Sequence, residues 1–313
     1  MSKTPIVCLC AQYDLRQYFG SGFDAYSDFE LVTPDQPEAP DQVRFAVAFK
    51  PGPDAFDPFP NLELICSVGA GVDGLLRHPK LPKQAHLVRM INPEQAQMMA
   101  GFAAWHVIGH HRRMDDYSAF QKKRTWGDAV RPTFPSDYPV AVIGFGKMGL
   151  AVARSLREMG YPVTSWASRS RTEDGFDVKS GKAGLEEVLS NAHAVVGVLP
   201  LTQSTEGFFN AQTFALMRSG SLLVQIGRGG HLIEDDLLAA LDAGQPGCAA
   251  LDVFQTEPLP PESPLWDHTA VFVTPHIASD STGAALARAV AGSIRAHVSG
   301  QVLEGAVDRN RGY

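Results

Sequence analysis

The chain has 313 residues, 44% of them hydrophobic and 19% charged, with 27 Lys and Arg against 34 Asp and Glu for a formal charge of −7. That composition fits a soluble globular protein long enough for about two domains. It argues against sequence-independent nucleic-acid binding, which needs a basic surface, but not against a small anionic ligand, because one local arginine can outweigh net charge. From the N-terminus, Met1-Ser2-Lys3-Thr4-Pro5 lacks the charged-then-apolar order of a secretion signal, and no apolar run reaches the length of a membrane span. The cytoplasm is the expected location, with no membrane or nucleic-acid partner. Cys8, Cys10, Cys66 and Cys248 form no C-x-x-C pair and sit among apolar residues. They read as buried thiols in a reducing compartment, and no metal site is expected.

Residues 5–11 and 43–49 read as strands, the second entering the turn Pro51-Gly52-Pro53. A third run, residues 62–68, is closed by Gly69-Ala70-Gly71-Val72-Asp73, and residues 86–91 form a fourth. Strands spaced by helix-length or loop-length segments imply a parallel sheet with crossovers, so this region reads as a small α/β domain. From residue 94 to about 123 the spacing predicts one long helix, with Pro93 near its start. Its apolar positions Met98, Phe102, Trp105, Ile108 and Gly109 cover more than one stripe, which predicts burial on several sides as a domain hinge or subunit interface. Residues 124–138, with Pro132 and Pro135, read as irregular.

Four apolar residues, Val140 to Ile143, then run into Gly144-Phe145-Gly146-Lys147-Met148-Gly149, and helix formers follow. An isolated G-x-G-x-x-G is weak, and an ordinary strand–helix turn could show it; the strand before and the helix after favour a dinucleotide site. Gly144 would permit the tight turn, Gly146 the approach of a pyrophosphate, and Gly149 the packing of helix on strand. The phosphates would sit at the helix N-terminus, where free N–H groups and the dipole favour anions. Lys147 reads as a surface residue near them, since the Gly-Lys-Ser/Thr of a P-loop is absent.

Further strands are expected at residues 162–166, 194–199, 221–226, 247–253 and 271–273. Helices are expected at residues 234–243, stopped by Gly244, and at 279–298; the polar tail 308–313 would pack back on the first domain. In a doubly wound sheet the ligand lies beyond the carboxyl ends of the strands. That rule singles out 144–149, 168–171, 199–202, 227–228, 252–257 and 275–276.

An NAD enzyme places a carboxylate on the adenine ribose roughly 20 residues past the glycines. Here the stretch is Trp166-Ala167-Ser168-Arg169-Ser170-Arg171, with no acid before Glu173. Arg169 and Arg171, aided by the Ser168 hydroxyl, suit a 2′-phosphate; the alternative is a pair of solvated loop arginines. NADP(H) is therefore expected over NAD(H), which remains the second choice. Arg228, Glu257 and His276 each follow a strand. A base to hold a carboxylate, a histidine to move a proton and an acid to hold that histidine suit reduction of a 2-oxo acid.

At these residues the sequence resembles the D-isomer-specific 2-hydroxyacid dehydrogenases. The resemblance rests on the glycine motif, Leu199-Pro200-Leu201-Thr202, Gly227-Arg228-Gly229, Leu251-Asp252-Val253-Phe254, Glu257-Pro258-Leu259, Ser263-Pro264-Leu265-Trp266 and Thr274-Pro275-His276-Ile277-Ala278, in order and spacing. It covers nearly the whole chain and is nearest the short glyoxylate/hydroxypyruvate reductases of the A type. These share the Trp-x-Ser-Arg loop and the ending Asp308-Arg309-Asn310-Arg311-Gly312-Tyr313. The resemblance implies two Rossmann or flavodoxin-like doubly wound parallel-sheet α/β domains with a cleft between them. Residues 1–103 plus 282–313 would bind substrate, and 104–281 would bind NAD(P). It also implies hydride transfer to glyoxylate or hydroxypyruvate, with His276 as proton donor, Glu257 orienting it, and Arg228 holding the carboxylate together with the N–H groups of Ala70 and Gly71. Besides 144–149, Ser168, Arg169 and Arg171, the implied cofactor contacts are Leu199, Pro200, Thr205, Ile226, Gly227, Asp252 on the nicotinamide carboxamide, and His276. A homodimer formed through residues 94–126 is implied as well.

Two departures bear on substrate preference. The usual Asn-x-Ala-Arg-Gly is Gln225-Ile226-Gly227-Arg228-Gly229, and Gly101-Phe102 stands where an acid is common. Lys50 lies where the subgroup has pocket residues, and either meets an anionic substrate or is solvated. Two competing readings stay open: a reductase for a bulkier 2-oxo acid such as phenylpyruvate, and a nucleotide-sensing dimer like the corepressors that share the fold.

Overall fold

Runs of four to six apolar residues, rich in Val, Ile, Leu and Ala, become strands buried on both faces. In chain order the elements are β1 (Thr4–Leu9), α1 (Leu15–Phe19), β2 (Phe29–Val32), β3 (Phe45–Ala48), β4 (Leu64–Ser67), α2 (Asp73–Leu76) and β5 (His86–Arg89). Then come α3 (Pro93–His111), α4 (Met114–Lys122), β6 (Val140–Ile143), α5 (Lys147–Glu158), β7 (Val163–Trp166), β8 (Arg171–Glu173) and β9 (Phe176–Lys179). The chain continues with α6 (Gly181–Asn191), β10 (Ala194–Gly197), α7 (Ala211–Leu216), β11 (Leu222–Gln225), α8 (Glu234–Asp242), β12 (Cys248–Leu251), β13 (Val271–Val273) and α9 (Gly283–Val298). This computed structural model describes residues 3–90, 92–127 and 133–312. It divides into two units, Met1–Gln95 with Ser281–Tyr313, and Ala96–Asp280; the expected limits were 103/104 and 281/282.

The first unit is a parallel sheet in the order β2-β1-β3-β4-β5, the flavodoxin-like arrangement. One face packs on α9 through Leu286, Val290 and Ile294, and the other on Phe56, Phe59, Leu62, Val72 and Leu75. Arg309 donates to the carbonyls of Pro82 and Ala85 at 2.9 and 2.6 Å, so the tail docks on this unit as expected; Tyr313 lies outside the described residues.

The second unit is a sheet ordered β13-β12-β11-β10-β6-β7-β9-β8, parallel except for the β8–β9 pair. Counted from β6, this is the doubly wound dinucleotide-binding order, with its switch point between β6 and β10. Residues of α3 and α5 cover one face, and residues of α6, α7 and α8 the other.

Several expectations need correction. Strand β2 was not legible: it is a four-residue edge strand that includes exposed Glu30. The single helix to about residue 123 is two, broken at Arg113, whose backbone is left-handed (φ 51°, ψ 46°). The break is held by the Arg113–Asp116 pair at 2.6 Å, and by His111, which the hydroxyls of Tyr161 and Thr133 fix at 3.0 and 2.8 Å. Within the single chain, α3 buries mainly its small residues. Ala100, Ala103, Ala104 and Val107 are buried, while Met98, Trp105 and Ile108 are 47, 62 and 38% exposed. The loop expected around Arg171 is instead the start of a hairpin. Asp174 and Gly175, at φ 54° and 74°, form its two-residue turn, an Asp-Gly signal that points to such turns. The last helix begins at Gly283 rather than near 279, with Thr282 capping Ala285 N at 3.2 Å. All four cysteines are free; Cys8 and Cys66 are buried as expected, but Cys10 and Cys248 only half-buried. The expected fourth strand is β5; Ile91, like Pro132, lies outside the described residues.

Candidate active site

The turn between β6 and α5 shows why its glycines are glycines. Gly144 has φ +105°, and a Cβ there would lie 2.7 Å from the Val198 carbonyl oxygen. At Gly149 a Cβ would sit 1.9 Å from the Gly144 oxygen, so the helix could not close on the turn. At Gly146 an added Cβ meets nothing within 4 Å. That side of the turn is open, and α5 starts there with no side-chain cap and no acid in its first turn. An uncapped N-terminus beside open space is a cradle for an anion, and the residues present fit a dinucleotide pyrophosphate. Phe145 is buried, Met148 half-buried and Lys147 exposed.

Past β7, Ser168 and Arg169 are exposed. The Arg169 guanidinium has no ion pair among the described residues. Arg171 is committed: its Nε is 2.7 Å from Glu173 Oε2, and its Nη2 donates to the Phe145 carbonyl at 2.5 Å. The sequence treats the two arginines alike; the structure separates them. Past β10, Leu199 is buried. The Thr205 hydroxyl donates to the Pro200 carbonyl at 2.6 Å and accepts from Thr202 N at 2.9 Å, closing that loop.

The ends of the adjacent strands β11, β12 and β13 carry Arg228, Glu257 and His276. His276 Nδ1 lies 2.8 Å from Glu257 Oε2. Glu257 Oε1 accepts from Phe254 N at 3.1 Å, which anchors the carboxylate. With Nδ1 turned to the acid, Nε2 is the nitrogen left for chemistry, on a side chain 43% exposed. His276 itself is held at φ +57°, uncommon for a non-glycine residue and a strain that clusters at functional sites. Asp252, 1% exposed, holds that conformation. Its Oδ1 accepts from Thr274 Oγ1 at 2.7 Å and Ile277 N at 2.8 Å, and its Oδ2 from Ala278 N at 2.8 Å. The resemblance assigns Asp252 to the nicotinamide carboxamide; within this unit its bonds brace the His276 loop. Ile226 and Gly227, which precede Arg228, are buried.

Gly229 joins the two halves of this arrangement. A Cβ there would fall 1.8 Å from the Phe254 oxygen, so the Arg228 turn lies directly on the segment that leads to Glu257. His231 was missed by the sequence reading. It is fully buried and its Nδ1 accepts from Arg228 N at 3.1 Å. Its position three residues past Arg228, the N3 place of a short helical turn, is the signal that could have found it.

In the first unit, the β4–α2 turn places the Ser67 hydroxyl 3.0 Å from the Gly69 carbonyl and 3.3 Å from that of Gly71. The N–H groups of Ala70 and Gly71 have no acceptor among the described residues. Lys50 is exposed, with φ +43° and its ammonium 5.6 Å from the Phe49 ring centroid.

Residues 104–278 match the family model of the D-isomer specific 2-hydroxyacid dehydrogenase NAD-binding domain. The chain is 34% identical over 286 residues to glyoxylate/hydroxypyruvate reductase A of Serratia proteamaculans (strain 568), covering 89% of this chain and 90% of that one. It is similar to a solved D-isomer specific 2-hydroxyacid dehydrogenase of Xanthobacter autotrophicus Py2 in complex with NADPH and MES, with TM-score 0.93, 32% identity and 100% of both chains covered. It is also similar to the NADPH-dependent glyoxylate/hydroxypyruvate reductase of Sinorhizobium meliloti in complex with NADP and sulfate. There the TM-score is 0.90 and the identity 34%, over 99% of this chain and 100% of that one. The chain belongs to the D-isomer specific 2-hydroxyacid dehydrogenase family, and is an oxidoreductase.

Proposed function

We propose that the protein reduces a small 2-oxo acid, glyoxylate or hydroxypyruvate, to the 2-hydroxy acid with NADPH. The observation that carries this reading is the His276–Glu257 pair at 2.8 Å, beside Arg228 at the ends of three adjacent strands. NADPH supplies the hydride for the carbonyl carbon. His276 Nε2 gives the proton to the forming alkoxide as general acid. Glu257 keeps Nδ1 as a donor and stabilises the imidazolium before the proton leaves. Arg228 presents a planar fork to the carboxylate and polarises the carbonyl. The free N–H groups of Ala70 and Gly71 are assigned to the same carboxylate.

Support for NADP(H) over NAD(H) comes from the bound cofactors of the Xanthobacter and Sinorhizobium proteins and from Arg169. Its guanidinium is exposed and without an ion pair among the described residues, and Glu173, the first acid after β7, is paired with Arg171. We place the protein in the cytoplasm, where its four free thiols stay reduced. We also assign a homodimer, supported by exposed Met98, Trp105 and Ile108 on α3 with Phe272 beside them; light scattering at the monomer mass would overturn it.

The test of the activity is NADPH oxidation over glyoxylate, hydroxypyruvate, pyruvate and phenylpyruvate. Turnover highest with the first two is the expected result. A preference for phenylpyruvate would move the assignment to bulkier 2-oxo acids. Cofactor binding with no turnover on any of the four would refute the reductase reading.

A further inference from the structure

We infer that Gln225 and His231 are positioning residues for Arg228, clamping its main chain from both sides, and that Gly227 is glycine to make room for the clamp. The inference rests on the reading of Arg228 as the carboxylate-binding residue. Both polar groups of the Arg228 main chain are occupied. Its N–H donates to His231 Nδ1 at 3.1 Å. Its carbonyl accepts from Gln225 Nε2 at 3.2 Å and from His231 N at 3.1 Å. Gln225 and His231 are both 0% exposed, so these bonds form away from competing water. An accepting Nδ1 fixes the His231 ring in its neutral form, with the proton on Nε2.

Two glycines carve the space for the two side chains. A Cβ on Gly197 of β10 would lie 2.5 Å from Gln225 Oε1. One on Gly227 would lie 3.0 and 3.1 Å from His231 Nδ1 and Cε1, and 3.1 Å from the Leu199 oxygen. The departure from Asn-x-Ala to Gln225-Ile226-Gly227 is thus a coherent change. The Gln225 amide reaches the Arg228 carbonyl, and a methyl at 227 would force the imidazole to give by a few tenths of an ångström. The Arg228 side chain then folds over its own turn, with Nη1 donating to the Gly227 carbonyl at 2.6 Å. A rotation of the Arg228 peptide would be magnified along this long side chain, and misplacement of about 1 Å can cost on the order of 10²-fold in rate.

The test replaces His231 by Asn, whose amide oxygen can take the place of Nδ1, by Gln, whose polar atoms reach instead toward Nε2, and by Leu. Steady-state kinetics vary the 2-oxo acid at saturating NADPH, and a separate titration follows NADPH binding by its fluorescence. His231→Leu and His231→Gln should lower kcat/KM for the 2-oxo acid at least ~10-fold with NADPH affinity retained, and His231→Asn should recover most of that loss. Gly227→Ala should show the same selective loss, relieved in part by adding His231→Asn, which is smaller than the imidazole. The clamp is overturned if Asn and Leu at 231 fall together, or if weaker NADPH binding accounts for the drop. Activity surviving in Arg228→Ala would instead sink the reading of Arg228. An inactive Arg228→Ala with an unimpaired His231→Leu would sink the clamp alone.

Discussion

Chemistry at the residue scale turns on which nitrogen of His276 is free. Glu257 takes Nδ1 at 2.8 Å and is itself anchored by Phe254 N, so Nε2 is the nitrogen left for the proposed proton transfer. His276→Ala and Arg228→Ala should each lower turnover at least ~10²-fold in the NADPH-oxidation assay, the usual scale for general acid–base catalysis. Wild-type rates in either variant would refute its role. The two arginines expected at the cofactor are not equivalent. Arg171 already serves Glu173 and the Phe145 carbonyl, whereas Arg169 is exposed and without an ion pair among the described residues. Arg169→Ala should therefore raise KM for NADPH about 10-fold or more and leave KM for NADH unchanged, since a charge-assisted bond to a 2′-phosphate is worth about 1.5–3 kcal/mol. Equal effects on both cofactors would exclude a phosphate contact. The placement of Arg228, Glu257 and His276 at strand ends was legible because each simply follows an apolar run. Neither the bracing by Asp252 nor the contact of His231 was legible, because both depend on how a loop folds back after its strand ends.

At the scale of elements, the loop after β13 is held by one buried carboxylate. Asp252→Asn keeps the shape but replaces one oxygen by a donor facing donors. It should cost roughly 1–3 kcal/mol in denaturant unfolding and lower kcat as the strained His276 backbone relaxes. Unchanged kcat would show that the loop holds itself. Helix α3 carries a second testable feature. His106 is 7% exposed, ringed by Phe102, Trp105 and Phe272 at 4.7, 4.6 and 5.2 Å between ring centroids. Its buried Nε2 has no hydrogen-bond partner among the described residues. Burial pushes this histidine down to about 4 from an ordinary 6.5. Between those values the unfolded chain binds a proton that the folded chain refuses, so stability falls as pH drops from 6.5 towards 4. His106→Leu removes that dependence. Its melting temperature should gain on wild type between pH 7.5 and pH 5, by the equivalent of about 2 kcal/mol at the acid end. A gap that does not grow would refute the assignment. The sheet strands were legible because uninterrupted apolar runs between turns have few other fates. The break between α3 and α4 was not, since no proline or glycine marks Arg113.

On the scale of the whole molecule, two α/β units were legible in the repeated strand–crossover segments, but the strand orders become visible only in the pairing. The first unit is assembled from the two ends of the chain. Its last piece, α9, is not peripheral: Leu286, Val290 and Ile294 are at most 2% exposed and cover one face of the first sheet. Gly283 lies so close under α1 that a Cβ there would be 2.2 Å from the Phe19 oxygen. Burying such side chains contributes about 1.5–3 kcal/mol each.

The split of the first unit sets an order of events during synthesis. Domains usually fold in the order they leave the ribosome, N-terminal first. Here the first sheet emerges early but waits, one face bare, until α9 has been made, while the second unit already has its full sequence. A chain ending at residue 280 should therefore keep a protease-resistant second unit and lose its first 95 residues to brief digestion, and a peptide spanning 281–313 added in trans should restore protection. Equal resistance of both units without that peptide would show that the early sheet stands alone. In the cell, the segment made first is the one that waits longest for its missing helix, and there a chaperone holding nascent chains has most to protect.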